Sequence, residues 1–120
     1  GEYRKLAVWQ KAHALALDVD RIAKGIRGGA NASLRNQMIR AAMSVPANIV
    51  EGRTQRSEKE FGRFLNYALG SAAELDYHLL IAKDIRAISE KEYWQAESAL
   101  SDVRKMLHGL LKRLQQPATG

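Results

Sequence analysis

Apolar residues recur along this chain at intervals of three and four in four separate stretches. From Leu6 to Ile26 they fall at Val8, Ala12, Leu15, Val19, Ile22 and Ile26, the spacing of one face of an α-helix. Trp9 and Ala16 widen that face, which suits packing against two neighbours. The helix is expected to stop between Gly25 and Gly29, because Gly28 and Gly29 lose too much backbone freedom to be held helical. A second stripe passes through Leu34, Met38, Ala41, Val45 and either Asn48 or Ile49, with Asn31 or Ser33 available to cap its first turn. Pro46 lies inside it, with no N–H and a ring that crowds the carbonyl four residues back, so a kinked helix is expected. The alternative is a helix-turn-helix in which Pro46 opens a new element. Only about six residues then precede Glu51 and Gly52, too few for a recognition helix to cross a major groove.

Gly52 to Gln55 reads as the next turn, and Ser57 with Glu60 forms the S-x-x-E pattern of a capping box. The third stripe, Phe61, Leu65, Ala68, Ala72, Leu75, Leu79 and Ala82, alternates four and three throughout. That period of about 3.5 residues belongs to bundles whose helices cross at shallow angles. At its centre Gly70, Ser71, Ala72 and Ala73 remove bulk, and close approach of a neighbour is expected to offset the roughly 1 kcal/mol of helix propensity lost at Gly70. A second capping box, Ser89 with Glu92, opens a stripe of Tyr93, Ala96, Leu100, Val103, Leu107, Leu110 and Leu114, and Pro117 marks its end. The pattern predicts helices over about 6–25, 32–52, 58–84 and 90–115 in one domain spanning 1–120. The expected fold is all-α, an up-down-up-down antiparallel four-helix bundle.

Composition narrows the setting. At 120 residues the chain can bury one core. With no cysteine there is no disulfide framework, no thiolate nucleophile and no cysteine zinc site, and a reducing compartment, the cytoplasm, is expected. No apolar run approaches the roughly 18 residues of a membrane span, and no signal-peptide core is read at the start, so no membrane partner is expected. Gly1 and residues 117–120 are given no role.

Catalytic and metal chemistry find little support. A carboxylate-bridged metal pair in a bundle needs Glu-x-x-His on two helices and a further Glu on each of the others. The nearest pattern is Glu74 with His78, four apart and occurring once, while His13 and His108 lie on other helices. The serines have no G-x-S-x-G context, and there is no phosphate loop or dinucleotide fingerprint. Glu58 with Glu60, and Glu90 with Glu92, sit in first turns, where acidic groups meet the positive end of the helix dipole. No metal, no cofactor and no enzymatic activity are expected.

The basic residues change the picture more. There are 19 against 13 acidic residues, a net charge of +6, and a pI near 9.8, which favours anionic partners. Arg35, Arg40, Arg53, Arg56, Lys59 and Arg63 fall within 29 residues around the joint between the second and third helices. Against Glu51, Glu58 and Glu60 they leave +3, half of the chain's excess. Arg40 and Arg63 each stand two positions from a stripe residue, about 200 degrees around the helix, and therefore point outward. Lys59 and Arg63 share a face with Asn66. This composition suits phosphate contacts that position a nucleic acid without reading its sequence. The competing readings are a solvated charged face and pairing of these arginines with Glu51 or Glu74. Arg4, Lys5, Lys11, Arg104, Lys105, Lys112 and Arg113 are more dispersed. Trp9, Tyr67, Tyr77 and Trp94 lie off or beside the stripes and favour self-association.

The run QMIRAAMSVPANIVEGRTQRSEKEFGRFLNYALGSAAELDYHL closely resembles the signature of a bacterial four-helix bundle family. Its members include proteins encoded by intervening sequences within large-subunit ribosomal RNA genes, once mislabelled as ribosomal. Ser44, Val45, Pro46, Asn48, Ile49, Glu51, Gly52, Ser57, Phe61, Gly70, Ser71, Glu74 and Leu75 stand at the matching positions. The resemblance implies an all-helical protomer that assembles as a ring-like homopentamer with a basic surface and without catalytic activity. Looser relatives are accessory proteins of diversity-generating retroelements, where the pentamer engages nucleic acid and a reverse transcriptase. One departure is visible: Ile26, Arg27, Gly28 and Gly29 stand where many members carry a phenylalanine-proline turn. Two functions are therefore expected to compete, an oligomeric RNA- or DNA-binding accessory protein and a scaffold that recruits a partner such as a reverse transcriptase.

Overall fold

The four apolar stripes become the inner sides of four helices. The structure, a computed structural model, describes residues 2–115, so Pro117 lies outside the described residues. A 3-10 turn at Glu2–Lys5 leads into α1 (Ala7–Lys24), and a second at Gly29–Asn31 leads into α2 (Ala32–Arg53); α3 (Glu58–Asp84) and α4 (Glu90–Gln115) follow. Val19, Met38, Val45, Ile49, Leu65, Leu75, Leu79, Val103 and Leu107 are fully enclosed. Of the residues read from the pattern, Ile22, Leu34 and Leu114 are only partly buried. At the end of α4 it is Leu111 that is buried, while Leu110 is partly exposed. A helix of 3.6 residues per turn drifts about 20 degrees per heptad against a 3.5-residue repeat, so an inner stripe moves by one position over a helix of this length.

Side-chain contacts join α3 to α2 and to α4. Ser44 Oγ lies 2.7 Å from Ser71 Oγ, and Arg104 Nη1 donates to Asp76 Oδ2 at 3.4 Å. The Lys83 ammonium stands 4.9 Å from the Tyr93 ring centre. The pairing of α2 with α3 is the most extensive in the molecule.

Helix α2 runs unbroken through Pro46, which is buried, and the helix-turn-helix alternative does not form. Between Asn48 and Ile49 the inner position belongs to Ile49; Asn48 turns back to donate to the Ser44 carbonyl at 2.8 Å and to Ser44 Oγ at 3.1 Å. Neither expected cap forms at the start of α2. The 3-10 turn feeds directly into the helix and leaves Asn31 at φ −96°, ψ 5°, outside the extended conformation that a cap adopts. Its amide reaches back to the Arg27 carbonyl at 2.8 Å, and Ser33 Oγ accepts from Gln37. Gly28, at φ +95°, holds the backbone conformation that makes this joint possible. The capping boxes fare differently from one another. At Ser89 both bonds form, Glu92 N–H to Ser89 Oγ at 3.0 Å and Ser89 N–H to Glu92 Oε1 at 2.8 Å. At Ser57 the Glu60 N–H donates to Oγ at 3.1 Å, but the Glu60 carboxylate turns to Arg63 instead.

Two glycines exchange the roles that the sequence suggests. Gly52 is a helical residue of α2, not part of the turn, and it is buried. A Cβ there would lie 2.8 Å from Phe61 Cδ1 and 3.0 Å from Phe64 Cβ. Gly70, expected to admit a neighbouring helix, is exposed, and among the described residues nothing lies within 4 Å of a Cβ built on it. Opposite signs follow for the same substitution. Gly70→Ala should stabilise by up to about 1 kcal/mol through helix propensity. Gly52→Ala should destabilise, because overpacking of about 1–3 kcal/mol outweighs that gain. Thermal unfolding followed by circular dichroism measures both.

Candidate nucleic-acid interface

The six basic residues named from the sequence do not form one cluster. Arg35 and Arg53 are 18 residues apart on α2, about 27 Å along its axis, so Arg35 belongs to the other end of that helix. There its Nη1 donates to the carbonyls of Ile26 and Gly28, each at 2.9 Å. These bonds tie the α1–α2 joint to α2, and they make Arg35 a structural residue. Arg40 is exposed midway along α2, beside a shallow groove lined by Gln37, Glu74 and His78. Closeness in sequence suggests a place near the second joint for both, but a helix carries its residues away at 1.5 Å each.

Arg53, Arg56, Lys59 and Arg63 do come together, around the α2–α3 turn. That turn is closed by the Glu51 carbonyl, which accepts from Thr54 N–H at 3.1 Å, Thr54 Oγ1 at 2.7 Å and Gln55 Nε2 at 3.1 Å. With the backbone so fixed, the basic side chains project from a short rigid segment. Arg53 lies over the Phe61 ring at 5.6 Å and pairs with Glu2 at 3.3 Å. Arg63 donates to Glu60 through Nε at 3.0 Å and Nη2 at 2.8 Å. The pairing with Glu51 or Glu74 considered from the sequence is thus replaced by Glu2 and Glu60. Arg56 and Lys59 are exposed, and among the described residues neither forms an ion pair.

Lys59, Arg63 and Asn66 share one face of α3, as their spacing implies, and they border an open groove whose far wall is Leu111, Leu114 and Gln115 of α4. The 3-10 turn Glu2–Lys5 approaches the same end through the Arg53–Glu2 contact. Arg4 and Lys5 follow Glu2 in that turn, and Lys112 and Arg113 lie between the α4 residues that line the groove, so these four belong to the same end of the molecule as the basic residues of the α2–α3 turn. Against Glu2, Glu51, Glu58 and Glu60 the eight leave a local charge of +4. Arg4, Lys5, Lys112 and Arg113 are dispersed in the sequence, and the packing of the helices carries them to one end of the molecule. Among the described residues no three of His, Asp and Glu gather as a metal site, and no helix is long and apolar enough to cross a membrane.

The profile of the 23S rRNA-intervening sequence protein family matches residues 4–109, nearly the whole chain. The chain belongs to that family. A crystal structure at 1.70 Å of a protein of unknown function from the S23 ribosomal protein family of Bacteroides thetaiotaomicron VPI-5482 superposes with a TM-score of 0.83. It is 24% identical, over 88% of this chain and 99% of that one, a likeness of fold. No match was found among curated proteins. For this intervening-sequence family member the described geometry separates a structural arginine, Arg35, from the exposed basic end. Arg35→Ala should lower stability by about 1–2 kcal/mol in thermal unfolding, through the two lost charge-assisted bonds.

Proposed function

We propose that this protein is a non-enzymatic, oligomeric accessory protein of the cytoplasm that binds RNA or DNA through the basic end around the α2–α3 turn. The observation that carries the reading is the pair Arg56 and Lys59, exposed and without acidic partners among the described residues, held on a short turn within a +4 surface. Cations in that state contact phosphates and release counterions, which gives affinity without sequence preference. Along α2 and α3 the contacts run from Ser44 with Ser71 to Gly52 with Phe61, and along α3 and α4 from Asp76 with Arg104 to Lys83 with Tyr93, an opposed order that supports an up-down-up-down antiparallel protomer.

Self-association belongs to the same proposal. Met43 (57% exposed), Tyr77 (60%) and Trp94 (54%) leave apolar surface that one bundle does not cover, and a ring-like homopentamer is the assembly that the family resemblance implies. The same side chains favour a second reading, a scaffold that recruits a protein such as a reverse transcriptase of a diversity-generating retroelement, with the charge serving solubility. Light scattering coupled to gel filtration should give several protomer masses at micromolar concentration, and a monomer there contradicts the assembly.

Binding should weaken steeply as salt rises. The double substitution Arg56→Glu with Lys59→Glu should lower affinity for single-stranded and duplex probes by about tenfold or more. It should also flatten the slope of log K against log salt by roughly 1.5–2. Salt-independent binding, or no binding to any RNA or DNA at low salt, overturns the reading. A protein partner that is retained after nuclease treatment and lost with Tyr77→Ala or Trp94→Ala favours the scaffold.

A further inference from the structure

We propose that Tyr67, with the Arg63 guanidinium laid over its ring, is a base-stacking platform that selects unpaired over duplex nucleic acid. The inference rests on the nucleic-acid reading above and adds the class of strand. Tyr67 lies one helical turn after Arg63 on α3, and the residue remains 47% exposed. The guanidinium carbon of Arg63 stands 5.7 Å from the Tyr67 ring centre and 5.5 Å from that of Phe64. Phe64 meets Tyr67 edge-on, at 5.4 Å and 83°. Phe64 is partly buried, with its Cβ against Gly52 of α2, so the tyrosine is propped by a residue anchored between helices.

The polar contacts fix the same arrangement. Arg63 Nη1 donates to the Tyr67 hydroxyl at 3.3 Å, while Nε and Nη2 donate to Glu60. Glu60 offsets the charge of Arg63, which makes Arg63 a poor phosphate contact compared with Arg56 and Lys59. It leaves a planar group, its side chain 55% exposed, oriented by bonds at its edge. An exposed planar group held by bonds at its edge beside an exposed ring is suited to stacking, and bases stack on tyrosine rings and guanidinium planes alike. Lys59 precedes Arg63 by one turn, about 6 Å, so a strand whose base lies on the platform can place its backbone against the Lys59 ammonium. A duplex keeps its bases inside its own stack and offers only phosphates to this surface.

Fluorescence polarisation on the full chain, with three probes of equal length, tests the inference: a mixed-sequence single strand, the same sequence as a duplex, and an abasic single strand. Tyr67→Ala should weaken the single strand about tenfold and leave the duplex and abasic probes within about twofold. Tyr67→Phe should retain binding, since the ring and not the hydroxyl stacks. Light scattering should show Tyr67→Ala at the mass of the parent. If Tyr67→Ala affects all three probes equally, affects none, or changes the assembly mass, the platform is overturned. When Arg56→Glu with Lys59→Glu weakens every probe and Tyr67→Ala weakens none, the phosphate reading stands and the platform falls. Binding of no probe by the parent protein removes both.

Discussion

The close seating of α2 on α3 is the constraint from which the rest of the molecule follows. Ala41 and Ala42 of α2 and Ala68 and Ala72 of α3 are buried, and Gly52 meets Phe61 and Phe64 without room for a methyl group. Small side chains let two backbones approach, and the contact is then set by shape, since a void or an added carbon changes it directly. Polar groups caught at such a crossing must find partners there. Ser44 and Ser71 bond to each other, and Asn48 adds a donor to Ser44. Among the described residues no buried side-chain polar atom is left unsatisfied.

That seating also determines what the basic end presents. Because α2 and α3 are held tightly on both sides of a short turn, Arg53, Arg56, Lys59 and Arg63 cannot spread apart as they would on a loose loop. Two of them are partly committed to acids, Arg53 to Glu2 and Arg63 to Glu60. Exposed pairs of this kind contribute little to stability, about 0–1 kcal/mol, but they orient the side chains and differentiate their chemistry. Among the described residues Arg56 and Lys59 remain open charges, while Arg63 becomes an oriented plane against Tyr67. A uniform arginine patch in the sequence thus becomes a surface with distinct parts.

The inner stripe of α3 was readable because its repeat is regular, its cap at Ser57 is local, and every residue from Phe61 to Ala82 on that stripe is buried. The joints were less legible. Asn31 and Ser33 have the right chemistry for a cap, yet a 3-10 turn removes the need for one. Arg86 takes φ 61° after α3, where its N–H bonds Lys83 and the next amide bonds Ala82, a helix ending that glycine normally marks. Nothing at position 86 announces it. The site was legible in composition only, since Arg35 and Arg63 look alike in the sequence. One ties a joint through two carbonyls and the other stands over an aromatic ring.

By itself the sequence determined the number of helices, their inner faces and the family, because periodicity, caps and a signature of small and polar residues act over one or two helical turns. Tertiary structure decided which glycine is compressed and which is free, where the stripe of α4 shifts to Leu111, and which charges meet at one end. Those outcomes depend on distances between helices, and residues far apart in the chain, such as Glu2 and Arg53 or Gly62 and Leu111, become neighbours only when the apolar faces close on one another.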